Sequence, residues 1–313
     1  MKRRIIIDTD PGQDDAVAIL LALASPDELD VAGIVTVAGN VPLALTTLNA
    51  CKIAELAGRP GVPVFAGCAR PLRRKPVTAE HVHGKSGLDG PDLPAPAIKP
   101  GAQHGVDWLI ETVMAAASGE ITLCTLGPLT NIAMALVKAP DIAPRIREIV
   151  MMGGAYFEVG NITPAAEFNI FADPEAADAV MNSGIPIVML PLDVTHRAPA
   201  TAARLARIHR TGNRAGAAVH AMLTFSERFD RAKYGTDGGP LHDPMVIAYL
   251  LKPELFSGRL INVTIETGSQ LTLGMTVADY WQITERPRNV MYIRDVDSDG
   301  FYALLTERLA RLP

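Results

Sequence analysis

Cysteine is scarce: Cys51, Cys68 and Cys124 are the only three in 313 residues, and no two stand in a Cys-x-x-Cys spacing. That excludes a dense disulfide framework and argues against a cysteine zinc site. Each sits among apolar or small neighbours, where a reduced cysteine behaves as a small hydrophobe, so a reducing cytoplasm is the expected location. Long apolar runs are missing too. Nothing approaches the ~20 residues of a membrane span, and MKRR is followed by only three isoleucines before an acid, too few for a signal sequence or anchor. Nor is positive charge in excess: 29 Lys and Arg against 34 Asp and Glu leave a net charge of -5, with the basic residues scattered. Neither a nucleic acid nor a membrane is an expected partner. No proline-rich linker and no repeat of fixed period divides the chain, so residues 1–313 are read as a single domain.

What is present is a hydrophobic content of 48% against 20% charged residues, enough for a large buried core. Short β-branched runs alternate with longer helical ones. Strands are expected at Arg4–Ile7, Val31–Val37, Val62–Ala66, Ile121–Leu126, Glu148–Met152 and Pro186–Leu190. Helices are expected at Asp14–Ala24, Pro42–Ala57, about Gly105–Ala117, from Pro128 onward and at Pro174–Asn182, with a long polar loop through Pro100. Strands of this length joined by single helices predict an α/β fold: an open, mainly parallel central sheet with helices on both faces. Beyond it, Ala200–Leu251 reads as a helical region, Arg259–Ile283 as a small β-hairpin turning at Thr267-Gly268-Ser269, Asn289–Ile293 as a closing strand and Gly300–Leu309 as a last helix. Ligand sites of such sheets lie beyond the carboxyl ends of the strands.

The stretch IIIDTDPGQDDAVA puts Asp8, Asp10, Asp14 and Asp15 at that edge, between a buried strand and a helix. One aspartate can cap the helix and gain from its dipole. The rest are unexplained, because like charges this close raise one another's pKa unless a cation intervenes. A hard divalent cation with oxygen ligands, such as Ca²⁺, resolves the conflict. His242-Asp243, at the mouth of the apolar helix in PLHDPMVIAYLL, is the best remote contributor, with capping by Asp243 as the plainer alternative. A third segment carries Asn161, Glu167 and Asn169 and suits a ligand rich in hydroxyls, since amides both donate and accept; ordinary loop chemistry is its alternative.

IIIDTDPGQDDAVA, TLGPLTNIA at 125–133, MMGGAYFEVGN at 151–161, AEFNIFADPEAA at 166–177 and PLHDP at 240–244 together resemble the inosine-uridine-preferring nucleoside hydrolases. The resemblance implies a tightly bound Ca²⁺, a homodimer or homotetramer, and hydrolysis of the N-glycosidic bond of ribonucleosides to free base and D-ribose. By the same resemblance Asp10, Asp15 and Asp243 are side-chain ligands of the calcium, Leu126 gives a main-chain carbonyl, and Asp8 is a structural acid. Asp10 is the expected general base, activating a calcium-bound water. Asp14 and Asn169 are expected at the 2'-hydroxyl, Asn161 and Glu167 at the 5'-hydroxyl, and Asn40 near the water and the ribose. Met152 and Phe168, from the same motifs, are expected beside the substrate and His83 beside the base. His242 is the expected proton donor to the leaving base as positive charge grows on the ribose ring.

Three further features compete for attention. Phe225, Phe229 and Tyr234 in FSERFDRAKYG either stack on the base as a lid or, for the two phenylalanines at i,i+4 spacing, pack in the core. Asp295-Val296-Asp297-Ser298-Asp299-Gly300 matches the opening of a calcium-binding EF-hand loop, but Thr306 stands where that loop needs a glutamate, so a strand end and helix cap are expected. His81 and His83 lack a third ligand for zinc. Two other functions fit parts of the pattern. A haloacid-dehalogenase-like phosphatase would use Asp8 and Asp10 with Mg²⁺, but no downstream lysine-and-acid arrangement is evident. A non-catalytic nucleoside- or ribose-binding protein would need neither Asp10 as a base nor His242 as a donor. Base preference depends on pocket shape around His83 and residues 222–240.

Overall fold

The run Arg3–Thr9 forms β1, and its isoleucines show why the fold is covered on two faces: Ile5 and Ile7 join one apolar cluster and Ile6 the other, all fully buried. Side chains alternate across a strand, so an unbroken apolar run needs cover on both sides. Each such burial is worth roughly 1.5–3 kcal/mol. The structure, a computed structural model, describes residues 2–235 and 237–313, and the side chains of Asp230, Arg231, Ala232 and Tyr234 also lie outside the described residues.

After β1 the chain runs α1 (Gln13–Leu23), β2 (Leu29–Thr36), α2 (Leu43–Leu56), β3 (Val64–Ala66), α3 (Glu80–His83), α4 (Gly105–Ala115), β4 (Ile121–Thr125) and α5 (Thr130–Lys138). There follow β5 (Glu148–Met152), α6 (Phe168–Ala172), α7 (Pro174–Met181), β6 (Ile187–Leu190), α8 (Leu192–Thr195), α9 (Ala202–His209), α10 (Arg214–Tyr234) and α11 (Pro244–Leu251). The chain closes with β7 (Phe256–Ile265), β8 (Thr276–Asp279), β9 (Val290–Val296) and α12 (Ser298–Leu309). The strands form one sheet in the order β3-β2-β1-β4-β5-β6-β9-β7-β8. Pairing is parallel from β3 through β9 and antiparallel where β7 meets β9 and β8. This is the α/β architecture expected from the alternation of elements.

Helices α1, α2, α11 and α12 cover the face holding Ile5 and Ile7, while α4, α5 and α7 cover the face holding Ile6. α1 is apolar nearly all round and almost wholly buried, as a helix wedged between a sheet and other helices must be. From β1 the order runs outward to β2 and β3, and from its other neighbour, β4, outward to β5 and β6. The β1/β4 boundary is therefore a topological switch point, where loops part in opposite directions and leave a crevice beyond the carboxyl ends of both strands.

The expected hairpin exists, with a different place in the fold. β7 begins at Phe256, the connection to β8 spans 266–275, and Thr267-Gly268-Ser269 is only its first part. Rather than standing apart, β7 pairs with β9 and carries the main sheet onward, because the register Ile261↔Val290 lets Ile261, Val263 and Ile265 continue the core. α3 and α6 arise in stretches read as loop; at four and five residues they are too short to show a helical period. No helix among the described residues is long and apolar enough to cross a membrane.

Candidate active site

The carboxyl ends of β1 and β4 deliver Asp8–Asp10 and Leu126–Gly127 to the crevice, tied by Leu126 N–H donating to Asp8 O at 2.8 Å. The turn at Pro11-Gly12 then starts α1. Asp15 sits three residues after the cap Gly12 and binds its own helix start: Oδ2 accepts from Gly12 N–H at 2.9 Å, and Oδ1 from Thr9 Oγ1 at 2.5 Å and Asp10 N–H at 3.2 Å. One of the four acids is thus a cap, as plain helix chemistry requires. Asp8 turns away from the cleft, fully buried, with Asn131 Nδ2 donating to its Oδ2 at 2.7 Å. Burial lifts its pKa to about 7 against that hydrogen bond. Its Oδ2 is thus held by Asn131 rather than offered to the cleft, which does not suit the nucleophile of a phosphatase.

Asp10 is fully buried between two glycines. A Cβ on Gly39 would lie 2.0 Å from Oδ2 and one on Gly127 2.2 Å from Oδ1, so only glycine fits at either place. Asn40 N–H donates to Oδ2 at 2.8 Å, and Asn40 Nδ2 reaches Asp10 O at 3.1 Å and Asp15 Oδ2 at 3.2 Å. Asp10 Oδ1 is buried with no hydrogen-bond partner. From two hundred residues away, the start of α11 brings Asp243 to the same place, and ligand oxygens of Asp14, Asp15 and Asp243 all lie within 4.8 Å of one another.

These acids hold protons far more tightly than free carboxylates. Burial and then the neighbouring Asp15 raise Asp10 well above its usual range, against the Asn40 N–H. Burial lifts Asp14 to about 6. Burial and then Asp14 raise Asp15, and burial followed by Asp14, Asp15 and Asp10 raises Asp243 well above the carboxylate range. Such a group is stable in its charged form only around positive charge. The donors are all carboxylate or carbonyl oxygens and Asp10 Oδ1 is orphaned, so the residues fit a hard divalent cation rather than a soft one.

A cleft of about 840 Å³, open to solvent at its mouth, is lined by Asp14, Asn40, His83, Leu126, Met152, Asn161, Glu167, Phe168, Asn169, His242 and Asp243. Of the site residues expected from sequence, Asp10 and Asp15 alone are not part of its lining, being fully buried. Asn169 Nδ2 donates to Leu126 O at 2.7 Å and Met152 O at 3.3 Å, joining the ends of β4 and β5. A carbonyl has two lone pairs, so Leu126 O can accept this bond and still face a cation. Glu167 is engaged more fully than its motif suggests: it caps α6, with Oε1 accepting from Asn169 N–H at 2.8 Å and Oε2 from Gly154 N–H at 2.9 Å and Ile170 N–H at 3.2 Å. Burial nonetheless lifts it to about 7. Asn161 Oδ1 accepts from Phe168 N–H at 2.8 Å, and Lys233 Nζ donates to Asn161 O.

His242 Nδ1 lies 2.7 Å from Thr195 Oγ1 at the end of α8. Burial, then His196 and His83, push its pKa down to about 3, which makes its imidazolium a strong acid once formed. Phe229 lines the cleft and meets His81 edge-on at 5.4 Å, whereas Phe225 faces a separate cleft beside α2 with the Arg228 guanidinium 4.1 Å over its ring. The lid expectation thus divides, and the Tyr234 side chain falls outside the described residues. Gln13, Val82, Leu223 and Ser226 also line the cleft without having been singled out in the sequence. Of these only Gln13, a polar residue opening an apolar helix, left a visible signal. The EF-hand-like run is no cation site: Asp297 caps α12 through Gly300 N–H at 3.0 Å, while Asp295 and Asp299 pair with Arg197 and Arg204.

The family model for the inosine-uridine preferring nucleoside hydrolases matches residues 5–303. An uncharacterized protein of Schizosaccharomyces pombe is 56% identical over 99% of this chain and 100% of its own length. The pyrimidine-specific ribonucleoside hydrolase RihA of Photobacterium profundum is 48% identical over 99% of each chain. Among solved structures, a plant nucleoside hydrolase, PpNRh1, superposes with a TM-score of 0.92 at 35% identity over 99% of each chain. A purine-preferring ribonucleoside hydrolase from Gardnerella vaginalis does so at 0.91, with 30% identity over 98% of each. The chain belongs to the inosine-uridine preferring nucleoside hydrolase family and is a ribonucleoside hydrolase, an enzyme that cleaves N-glycosidic bonds.

Proposed function

We propose that this chain hydrolyses pyrimidine ribonucleosides in preference to purine ones, giving free base and D-ribose, and that its cation is calcium. The observation that carries the proposal is the meeting of Asp14, Asp15 and Asp243, whose ligand oxygens lie within 4.8 Å of one another, beside the buried Asp10 and at a cleft that Asp14, Asp243 and His242 line. Asp10, Asp15, Asp243 and Leu126 O would hold the calcium, which supplies the positive charge that makes a water more acidic and grips vicinal hydroxyls. Asp10 takes a proton from the attacking water as the water oxygen bonds to the anomeric carbon. The carbon–nitrogen bond breaks with its electron pair leaving on the base, and His242 gives the base nitrogen a proton. Carboxylates around the ribose stabilise its developing positive charge. Asp14 and Asn169 hold the 2'-hydroxyl, Asn161 and Glu167 the 5'-hydroxyl, and Asn40 orients Asp10; Met152, Phe168 and His83 line the substrate.

Pyrimidine preference is supported by the 48% identity to a pyrimidine-specific relative, against 30% to a purine-preferring one. Within the same proposal the chain is one domain, acts in the cytoplasm and assembles as a homodimer or homotetramer. The test is a ribose-release assay on uridine, cytidine, inosine and adenosine with calcium present, repeated after chelation. Release should be fastest from a pyrimidine nucleoside, vanish with chelator and return with calcium. No release from any of the four by the calcium-loaded protein overturns the proposal, and activity indifferent to chelation overturns the role of the cation.

A further inference from the structure

Gln13 and His83 make a contact that none of these roles uses. Gln13 opens α1 but is 1% exposed, and its side chain spans to the α3 segment rather than to water. Its Nε2 donates to two main-chain carbonyls, His83 O at 2.9 Å and Asp89 O at 3.1 Å. Carbonyls only accept, so the amide nitrogen must face them, and this orients the other end of the amide. Gln13 Oε1 then lies 2.5 Å from His83 Nδ1. An amide oxygen also only accepts, so the hydrogen of this bond belongs to the ring, and the neutral imidazole keeps its lone pair on Nε2. The backbone is shaped for the approach: a Cβ on Gly12 would lie 2.5 Å from His83 Nδ1 and 2.7 Å from Cε1, so the ring edge rests where only glycine leaves room. With that edge turned to Gln13 and Gly12, Nε2 is the nitrogen left for a ligand in the cleft that His83 lines.

We propose that Gln13 is a positioning residue that holds His83 in the Nδ1–H form and so gives the cleft a hydrogen-bond acceptor at Nε2. The group that meets His83 must then be a donor: a ring N–H, an exocyclic amine or a hydroxyl. A ligand presenting a lone pair there meets the lone pair of Nε2 and is disfavoured. Because Gln13 directly precedes Asp14 and Asp15, whose ligand oxygens meet that of Asp243, the same residue ties the start of α1 to the wall of the cleft that His83 lines. The consequence for substrate choice rests on the nucleoside hydrolysis proposed above, whereas the tautomer does not.

The test begins with the unaltered, calcium-loaded protein labelled with ¹⁵N at histidine, with His83→Gln used to assign the His83 signals. Long-range nitrogen–proton correlation should show a protonated Nδ1 and an unprotonated Nε2. In Gln13→Met, similar in size and without an acceptor oxygen, the ring should pass to the Nε2–H form and kcat/KM for uridine should fall about tenfold or more. An Nε2–H form in the unaltered protein, or a Gln13→Met variant whose tautomer does not change, overturns the proposal. A protein that shows the Nδ1–H form yet releases ribose from no nucleoside supports the assignment of Gln13 and overturns the hydrolysis.

Discussion

The main-chain N–H of Asn40 donates to Oδ2 of Asp10 at 2.8 Å, while Oδ1 of the same carboxylate has no hydrogen-bond partner. One oxygen is anchored by the loop after β2 and the other is left for a cation or a water. Asn40 strengthens the anchor through its side chain, which bonds both Asp10 O and Asp15 Oδ2 and so links the loop after β2 to the loop after β1.

Asp10→Asn keeps the volume of the side chain and removes its charge and its basicity. The expected loss in kcat is about 10²- to 10⁴-fold, the usual worth of a general base, with an unchanged circular dichroism spectrum. Steady-state rates on uridine check it; a kcat within about tenfold of the parent would remove Asp10 from the role of base.

Gly127→Ala tests the packing around the same group. The new Cβ would sit 2.2 Å from Asp10 Oδ1, and the contact is relieved only if the carboxylate moves. Displacing a reacting group by about 1 Å costs about 10²-fold in rate, so kcat/KM should fall by that order while the melting temperature drops by only a few degrees. A variant that melts far below the parent and recovers full activity when cooled would show that the glycine serves folding instead.

Phe229→Ala and Phe225→Ala should separate although the two residues are one helical turn apart. Phe229 lines the cleft, and Phe225 faces the one beside α2. Loss of an aromatic wall should raise KM for uridine about tenfold in Phe229→Ala, with little change in Phe225→Ala. Equal effects on KM would return both to a purely structural role.

Cys68 should resist alkylation until the solution is strongly basic. Burial, then Asp8 and Asp173, pushes its thiol up to about 12, and the thiolate is the reactive form. At pH 8 only about 10⁻⁴ of Cys68 is thiolate, against about a quarter for an ordinary thiol. A higher pKa means the proton is lost later, so the rate of modification should rise about tenfold for each pH unit from 7 to 10 without levelling off. Iodoacetamide labelling followed by peptide mass mapping reads this directly, and a plateau near pH 9 would contradict it.

Much of the fold is legible in local pattern. The isoleucines of β1, the apolar length of α1 and the β-branched run before Thr36 announce strand, helix, strand, because each element carries its own period of burial. The acids fall at the carboxyl edge for the same reason: they follow a buried strand and start a helix. α3 and α6 went unseen because one turn is too short for periodicity to register, yet both carry cleft residues, His83 and Phe168.

The amino-acid sequence by itself determined the alternation of elements, the burial of the sheet on both faces, and the gathering of Asp8, Asp10, Asp14 and Asp15 in one turn, since propensity and period act between near neighbours. Only the tertiary structure decided that Asp8 turns inward to Asn131, that Asp243 joins Asp14 and Asp15, that Glu167 spends its oxygens on a helix cap, and that Gln13 faces His83. Periodicity states which side of an element is buried and is silent on what it is buried against. That choice is made by strand order, and here β4 lying beside β1 opens the crevice in which distant residues meet.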